Sequence, residues 1–170
     1  MEISQSLEIR QARPEDAAGI VAVFNPIIEA GRYTTFDTPF TAEAERHYIL
    51  SLTERDILHV AVRHPEEVVV GFQGLSTFPS YSRAFVHVGV MGTFVALDQR
   101  QQGIGGRLFA ATFELARQMG YEKILTYVRA DNTGGLVAYL KQGFRIVGTA
   151  QNQAKIGGRY VDEIIIEKLL

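Results

Sequence analysis

The stretch Asp98-Gln99-Arg100-Gln101-Gln102-Gly103-Ile104-Gly105-Gly106-Arg107-Leu108 lies between a Val-rich segment, 85–97, and an amphipathic segment, 103–120. The first pattern is typical of a strand and the second of a helix. Glycines let the backbone come close to a ligand, and a helix start offers N–H groups that have no acceptor inside the helix. The stretch therefore predicts a cradle for phosphate groups.

Three known phosphate-binding patterns can be compared with this stretch. A Walker A loop has Lys and then Ser or Thr after its last glycine, whereas Arg107-Leu108 follows Gly106 here. The dinucleotide pattern G-x-G-x-x-G/A fails too, because its last position, counted from Gly103, is a leucine. The pattern Q/R-x-x-G-x-G/A remains and is met by Arg100, Gly103 and Gly105. An ordinary glycine-rich helix start stays open as the alternative.

A second motif, Asn132-Thr133-Gly134-Gly135-Leu136-Val137-Ala138-Tyr139-Leu140-Lys141-Gln142-Gly143-Phe144, follows a predicted strand and predicts a short helix. Together the two motifs resemble the GNAT superfamily of N-acetyltransferases. Its members typically carry R-x-x-G-x-G/A and then N-x-x-A-x-x-L/Y-Y-x-x-x-G-F. Asn132, Tyr139 and Gly143-Phe144 fall on the second pattern in register, and Gly135 stands where alanine is commoner.

The resemblance implies an α/β protein of the GNAT fold: a mixed, mostly antiparallel central sheet, flanked by helices and splayed at the acetyl-CoA site. The predicted order of elements is compatible with it: strand, two helices, strands, helix, strand, helix, strands. The chain has 170 residues, of which 46% are hydrophobic, and no internal repeat or linker divides it. We therefore expect a single N-acetyltransferase domain over 1–170.

The same resemblance implies acetyl-CoA as the cosubstrate. The residues from Gln101 to Gly106 form what we call the glycine turn. Its backbone N–H groups would hold the pyrophosphate of acetyl-CoA, and the end of the preceding strand would pair with the pantetheine arm. Asn132 would bond to the same arm, although a helix cap is an equally physical explanation for this residue. The residues implied in acetyl-CoA binding are Thr93, Phe94, Val95, Arg100, Gln101, Gln102, Gly103, Ile104, Gly105, Gly106, Asn132 and Tyr139.

Tyr139 matches the tyrosine that commonly gives a proton to the departing thiolate in this superfamily. A phenol with its ordinary pKa of about 10 is protonated at neutral pH, so it is suited to act as a general acid. The alternative is an aromatic side chain packed between a helix and the sheet. The resemblance implies the catalytic role, and the residue type is compatible with both.

Early and late segments narrow the resemblance to the phosphinothricin acetyltransferase-like group, which acetylates small amines. They are Phe24-Asn25-Pro26-Ile27-Ile28-Glu29-Ala30 with Tyr33-Thr34-Thr35-Phe36, and the late Gly158-Arg159-Tyr160-Val161-Asp162. One position departs from the pattern of the group. Val90 stands where the group often has a glutamate, the proposed base, and valine takes no proton.

The missing glutamate leaves other candidates for the base that deprotonates the amine. His87 has an ordinary pKa near 6.5, and Glu29 and Asp37 belong to segments expected to form the wall of the acceptor pocket. Each also has a purely structural explanation, and a water chain that ends at backbone carbonyls needs no dedicated base. Tyr33 and Phe36, with Glu29 and Asp37, are the residues expected to line the acceptor pocket.

The sequence contains no cysteine, which excludes disulfides, thiolate metal sites and a cysteine-bound acetyl intermediate. The histidines share no metal-ligand spacing with a carboxylate, so we expect no metal. A net charge of −2 gives no strong attraction to nucleic acid or acidic membranes, and no apolar run reaches the length of a membrane span. We expect a cytoplasmic protein without nucleic-acid or membrane partners, and the resemblance is compatible with a homodimer.

The resemblance implies an N-acetyltransferase that moves acetyl from acetyl-CoA to a primary amine of a small molecule, such as an amino acid or an analogue, and the absence of cysteine favours direct transfer. Two alternatives stay open. An acetyltransferase of peptide or protein amines would present an open, acidic groove at the acceptor site. A non-catalytic sensor would bind an acyl-CoA without turnover.

Overall fold

A computed structural model describes residues 6–170. Within them, strands and α-helices are joined by short loops and by 3-10 turns at Pro14–Asp16, Arg83–Phe85 and Leu97–Gln99. The strands are β1 (Ser6–Gln11), β2 (Ile57–His64), β3 (Val68–Thr77), β4 (Val88–Val95), β5 (Lys123–Arg129), β6 (Arg145–Ile156) and β7 (Arg159–Leu169). The helices are α1 (Ala17–Glu29), α2 (Ala42–Ser51), α3 (Ile104–Gln118) and α4 (Thr133–Lys141).

The strands form one sheet in the order β1-β2-β3-β4-β5-β7-β6. Neighbouring strands are antiparallel except β4 and β5, which are parallel. These two are in register only at Val88 opposite Lys123 and at Gly89 opposite Ile124, so they separate towards their carboxyl ends. The expected fold class is confirmed: the sheet is mixed, mostly antiparallel and splayed between β4 and β5.

Helices cover both faces of the sheet, because successive side chains of a strand point to opposite faces. On one face, Phe24 of α1 and Ile49 of α2 pack in one apolar cluster with Phe72 of β3. On the other face, Phe113 of α3 shares a cluster with Met91 of β4. We call these the α1 face and the α3 face. None of the helices within residues 6–170 is long and apolar enough to cross a membrane.

Two elements, β4 and α3, are shorter at both ends than expected from the sequence. The strand expected over 85–97 is shorter, Val88–Val95, because the 3-10 turn Arg83–Phe85 occupies its first residues. The helix expected over 103–120 begins one residue later. Gly103 has a φ of +77°, a left-handed conformation that glycine adopts without strain, so it ends the preceding turn and the helix starts after it.

Candidate active site

A cavity of about 560 Å³ lies where β4 and β5 separate. Its wall combines the glycine turn before α3, the end of β4, the start of α4 and the segment between α1 and α2. The two sequence motifs, whose first residues are 34 positions apart in the chain, thus meet at one site. Most residues expected to bind acetyl-CoA line this cavity: Thr93, Phe94, Val95, Arg100, Gln101, Gly103, Ile104, Gly105, Asn132 and Tyr139.

The glycine turn borders the cavity with backbone amides. In α3, which is described in full, the Arg107 N–H donates to the Gly103 carbonyl (3.2 Å), so the amides of Ile104, Gly105 and Gly106 have no acceptor in the helix. Apart from adjacent residues and the backbone of the same helix, a Cβ atom at Gly103 or Gly105 would meet no atom of residues 6–170 within 4 Å. Open space beside free amides, at the positive end of a helix dipole, fits an anionic phosphate group.

The end of β4 lines the cavity along one strand edge. The other edge pairs with β3 as far as Val95, opposite Gly71, whereas the register with β5 ends at Gly89. At the point of separation the Thr126 hydroxyl donates to the Met91 carbonyl (2.6 Å). Beyond Met91, this edge of β4 has the geometry for main-chain pairing with an extended ligand.

Tyr139 of α4 is 8% exposed and lines the cavity. Its hydroxyl lies 3.1 Å from the Thr93 hydroxyl, and its ring packs edge-on against Phe109 and Phe144, at 5.2 and 5.1 Å between centroids. Burial raises the pKa of Tyr139 to about 12, although hydrogen bonding with Thr93 lowers it in part. The side chain is therefore packed in the core, borders the cavity and is protonated at neutral pH.

Asn132 lines the cavity and makes two hydrogen bonds within the protein. Its Oδ1 accepts from the Gly135 N–H (3.0 Å) and caps α4, while its Nδ2 donates to the Tyr33 carbonyl (3.2 Å). A Cβ atom at Gly135 would lie 2.5 Å from Asn132 Nδ2. Glycine therefore makes room for this Asn132 conformation at the position where the superfamily pattern has alanine. The structure thus contains the helix cap, one of the two explanations that the sequence allowed for Asn132.

The α1–α2 loop (30–41) is held at the cavity by further contacts. The Arg129 guanidinium, 7% exposed, donates to the Thr34 carbonyl (2.9 Å) and makes two hydrogen bonds with the Asp131 carboxylate (2.7 and 2.9 Å). The Arg100 guanidinium lies 4.1 Å from the centre of the Tyr33 ring, within cation–π distance. Three side chains therefore contact the α1–α2 loop: Arg129 at the end of β5, Arg100 just before the glycine turn and Asn132 at the start of α4.

Two residues expected to bind acetyl-CoA do not line the cavity. Gln102 accepts a hydrogen bond from Arg63 (2.9 Å) and borders a shallow groove elsewhere beside the turn. Gly106 is exposed in the first turn of α3. The Gln102 side chain is therefore engaged elsewhere, and Gly106 belongs to the first turn of α3 without lining the cavity.

The residues expected in the acceptor pocket are dispersed. Tyr33 lines the cavity, but Glu29, Phe36 and Asp37 do not. Glu29 is exposed at the end of α1, and Asp37 is exposed within the loop. Phe36 is 50% exposed and its ring packs edge-on against Phe24 (5.2 Å). The structure therefore connects only Tyr33 of this set with the glycine turn and Tyr139.

His87 lies just before β4, at the opposite end of the strand from Thr93. Six residues of extended chain span about 20 Å. The His87 carbonyl accepts hydrogen bonds from the N–H groups of Glu122 and Lys123 (2.9 and 3.2 Å), next to the start of β5. His87 is therefore far from the Tyr139 end of β4, where an acceptor amine would need a base.

Sequence reasoning missed two buried polar residues near the cavity. Gln73 of β3 is fully buried, and its Nε2 donates to the Thr93 hydroxyl (2.7 Å). Its signal is present in the sequence, since it is the one amide in the otherwise apolar run Val68-Val69-Val70-Gly71-Phe72-Gln73-Gly74-Leu75. Arg129, which holds the α1–α2 loop, carries no comparable signal, because charged residues are common at strand ends.

The sequence model of the Acetyltransferase (GNAT) family matches residues 27–144, a span that contains the glycine turn, β4 and α4. The chain belongs to this family. The protein is an acetyl-CoA-dependent acetyltransferase. The residues present fit that cosubstrate: free amides for its phosphates, and an open edge of β4 for its extended arm.

Two curated relatives differ in how much of their length is matched. Phosphinothricin N-acetyltransferase of Streptomyces coelicolor is 27% identical over 170 residues, which covers 96% of this chain and 96% of the relative. Mycothiol acetyltransferase of Corynebacterium aurimucosum is 35% identical over 83 residues, 49% of this chain but only 27% of that relative. Similarity over nearly the full length supports the resemblance to the phosphinothricin acetyltransferase-like group.

Solved structures with the same fold include two acetyltransferases. Ribosomal-protein-alanine N-acetyltransferase from Brucella melitensis has a TM-score of 0.86 at 27% identity, covering 96% of this chain and 99% of that chain. A phosphinothricin acetyltransferase from Sinorhizobium meliloti in complex with acetyl-CoA has a TM-score of 0.87 at 18% identity, covering 96% and 88%. At 18% identity, the similarity to the Sinorhizobium meliloti structure shows a shared fold and no more.

Proposed function

We propose that the protein moves the acetyl group of acetyl-CoA directly onto a primary amine of a small molecule, such as an amino acid or an analogue. One observation carries the proposal: a single cavity connects the amides of the glycine turn with the buried hydroxyl of Tyr139. The similarity to a phosphinothricin N-acetyltransferase supports a small acceptor. The absence of cysteine from the sequence leaves direct transfer, with both substrates bound together.

The proposed acetyl-CoA site divides into two parts. The amides of the glycine turn, Gly103 to Gly106, bind the phosphates. The main chain of Thr93, Phe94 and Val95 pairs with the pantetheine arm. Asn132 contributes by fixing the start of α4 and the carbonyl of Tyr33, since both of its polar atoms are already engaged there.

When bound, acetyl-CoA supplies a thioester carbonyl that an amine attacks, and its sulfur leaves as a thiolate. Tyr139 is the proposed proton donor to this sulfur. Its hydroxyl is protonated at neutral pH, borders the cavity and is held by Thr93. Free N–H groups along the edge of β4 polarise the carbonyl, as positioned donors do when negative charge develops on oxygen.

For the proton that the amine must lose, we propose a chain of waters that ends at backbone carbonyls rather than a dedicated base. Val90 takes no proton, and neither Glu29 nor Asp37 lines the cavity. His87 lies at the far end of β4. An amine bound next to the thioester gains most of its rate from proximity and orientation, which lowers the demand for a strong base.

We further propose that the chain is one domain over 1–170, cytoplasmic, and paired as a homodimer without nucleic-acid or membrane partners. The single sheet, with apolar clusters on both faces, supports one domain for the described residues. In β6, the strand at the end of the sheet, Ile146 and Val147 are about half exposed, which supports a contact between two copies.

A second candidate is acetylation of a peptide or protein amine. The similarity to a ribosomal-protein-alanine N-acetyltransferase, at 27% identity, supports this alternative. A panel of amino acids, small amines and a peptide with a free N-terminus, with release of free thiol as the readout, separates the two. Acetyl-CoA binding without thiol release from any amine would instead indicate a sensor.

The decisive variant is Tyr139→Phe, which keeps the ring and removes the proton donor. A general acid contributes roughly 10²–10⁴-fold, so we expect kcat to fall at least about 100-fold. The Kd for acetyl-CoA, measured by calorimetry, should change less than twofold. Tyr81→Phe, at a tyrosine that is 82% exposed, is the matched control and should leave both values unchanged. Unchanged turnover in Tyr139→Phe would remove Tyr139 from the mechanism.

A further inference from the structure

Gln73 lies on β3, next to the central strand β4, and belongs to a row of polar side chains on the α3 face of the sheet. The strand register places His59 of β2 opposite Gln73, and Gln73 opposite Thr93 of β4. Residues directly opposite each other in antiparallel strands share a face. The row begins at α3, where the Thr112 hydroxyl lies 2.8 Å from His59 Nδ1, and it ends at Tyr139.

The hydrogen bonds at Thr93 restrict its hydroxyl proton. A threonine hydroxyl has one proton to donate and two acceptor lone pairs. Gln73 Nε2 donates to this oxygen at 2.7 Å and fills one lone pair. The proton of Thr93 is then left for the Tyr139 oxygen, 3.1 Å away. If Thr93 donates to Tyr139, the phenol proton of Tyr139 is free for another acceptor, on the cavity side.

We propose that Gln73 is a positioning residue, which acts through Thr93 to keep the Tyr139 proton directed at the leaving sulfur. This proposal rests on the proposed function, in which Tyr139 is the proton donor. As the carbon–sulfur bond breaks, the Tyr139 proton goes to the sulfur, and the Thr93 hydroxyl donates to the phenolate that forms. The amine gives up one proton to water and Tyr139 regains one from water, so protons balance over the cycle.

A purely structural role explains Gln73 poorly. Gln73 is fully buried, and within residues 6–170 its Oε1 atom has no hydrogen-bond partner. A buried acceptor without a partner destabilises the folded state, and an apolar side chain of the same shape would avoid this. Among the described residues, the side-chain hydrogen bond that Gln73 makes is its donation to Thr93. The hydrogen bond to Thr93 therefore explains why an amide side chain occupies this buried position.

The first test combines kinetics with a double-mutant cycle. Gln73→Met keeps the shape and removes the donor, and Thr93→Val removes the hydroxyl. We expect each to lower kcat about threefold to tenfold, the worth of one hydrogen bond, with the KM for acetyl-CoA within twofold. Thr93→Ser, which restores the hydroxyl, should recover most of the rate. In a Tyr139→Phe background neither Gln73→Met nor Thr93→Val should have a further effect.

The matched control is Thr112→Val, because Thr112 is also fully buried in the row but forms its hydrogen bond with His59 rather than with Thr93 or Tyr139. It should lower the melting temperature and leave kcat unchanged. If Thr112→Val slows the reaction as much as Gln73→Met, or if Gln73→Met still slows the Tyr139→Phe enzyme, the proposal is wrong. Should Gln73→Met not fold, Thr93→Val is compared with Thr112→Val and is tested in the Tyr139→Phe background in the same way.

A second readout does not depend on turnover. In protein with ¹³C-labelled tyrosine, the ring signal of Tyr139 reports the pKa of its phenol. Hydrogen bonding with Thr93 lowers that pKa against the effect of burial, so Thr93→Val and Gln73→Met should both raise it. An unchanged pKa in both variants would overturn the proposal. If no amine is acetylated by the wild-type protein, the proposed function fails, while this titration still decides the role of Gln73.

Discussion

The two faces of β4 border the same cavity but are held in different ways. On the α3 face, Thr93 is fixed between two side chains, Gln73 and Tyr139, in a buried row of hydrogen bonds. On the α1 face, the strand carries aliphatic and aromatic residues such as Val90 and Phe94. Polar contacts on that side come from the α1–α2 loop, whose carbonyls are held by Asn132 and Arg129 at α4 and β5.

This difference separates the proposed acetyl-CoA side of the cavity from the proposed acceptor side. The first consists of backbone amides, a strand edge and core side chains, all parts of regular elements. The second consists of a loop whose position depends on a few side chain–backbone hydrogen bonds. We therefore expect cosubstrate binding and acceptor choice to respond to different substitutions. Variants on the acetyl-CoA side should have the larger effects.

The largest effect is expected at Gly105. Apart from adjacent residues and the backbone of α3, a Cβ atom there meets no atom of residues 6–170 within 4 Å, so Gly105→Glu should fold. An acidic residue in the first turn also favours the helix. The added carboxylate would occupy the cradle for phosphates. Placing like charges together costs several kcal/mol, so acetyl-CoA affinity should fall roughly 100-fold or more in calorimetry.

Ala110→Glu is the control for Gly105→Glu. Ala110 is exposed on the same helix and does not line the cavity, so this variant adds the same charge without filling the cradle. Its acetyl-CoA affinity should match that of the wild type. Equal losses of affinity in the two variants would mean that the overall charge of α3, rather than the cradle, governs binding.

The contrast between the two sides also explains what the sequence predicted. The glycine turn and the helix that carries Tyr139 were predicted, because backbone geometry of this kind requires particular residues at fixed spacing. The splay of β4 was expected from the resemblance to the GNAT superfamily. Gly103, with its φ of +77°, is an example. Ten of the twelve residues expected at the acetyl-CoA site line the cavity, and Gln102 departs because its side chain bonds to Arg63.

The acceptor side was not predictable in the same way. Its residues come from a loop and from strand ends that are distant in the chain, as in the bond between Arg129 and the Thr34 carbonyl, 95 residues apart. Nothing in the local pattern around Glu29 or Asp37 indicates whether the loop turns them into the cavity or into solvent. Gln73 lies between these cases, since a lone amide in an apolar strand marks a buried polar contact without identifying its partner.

A smaller effect is expected where the two sides meet, at Asn132. Asn132→Ala removes the cap of α4 and the tie to the Tyr33 carbonyl, whereas Asn132→Ser keeps a cap acceptor and loses only the tie. Loss of a cap costs about 1 kcal/mol, so Asn132→Ala should lower the unfolding free energy by about that amount and Asn132→Ser by much less. Both variants should speed amide hydrogen exchange in the loop 30–41.

Gly135→Ala tests the same contact by changing Gly135, the residue that Asn132 caps. Alanine favours the helix by about 1 kcal/mol over glycine, but its Cβ would displace the Asn132 side chain, 2.5 Å away. The gain in helix propensity and the loss of the cap should nearly cancel in stability, while exchange in the loop increases. Unchanged loop exchange in all three variants would show that Asn132 does not connect the two sides.

The smallest effect is a difference in the pH dependence of stability. On the α3 face, burial lowers the pKa of His59 below 6.5, so the unfolded chain takes up the proton more readily and stability is lost as the pH falls through 6.5. On the α1 face, burial raises the pKa of Glu163 above 4.5, partly offset by the charge of Arg129. The folded chain then holds that proton longer, and stability is lost as the pH rises from 4.5 through the raised pKa.

Urea unfolding from pH 4.5 to 8 should show these opposite signs. Relative to the wild type, His59→Gln should gain stability as the pH falls through 6.5, because the glutamine takes up no proton in either state. Glu163→Gln should gain stability as the pH rises above 4.5, because the folded state no longer contains a carboxyl group that resists ionisation. Slopes of the same sign would mean that the polar groups on the two faces of the sheet do not differ as their burial and charges imply.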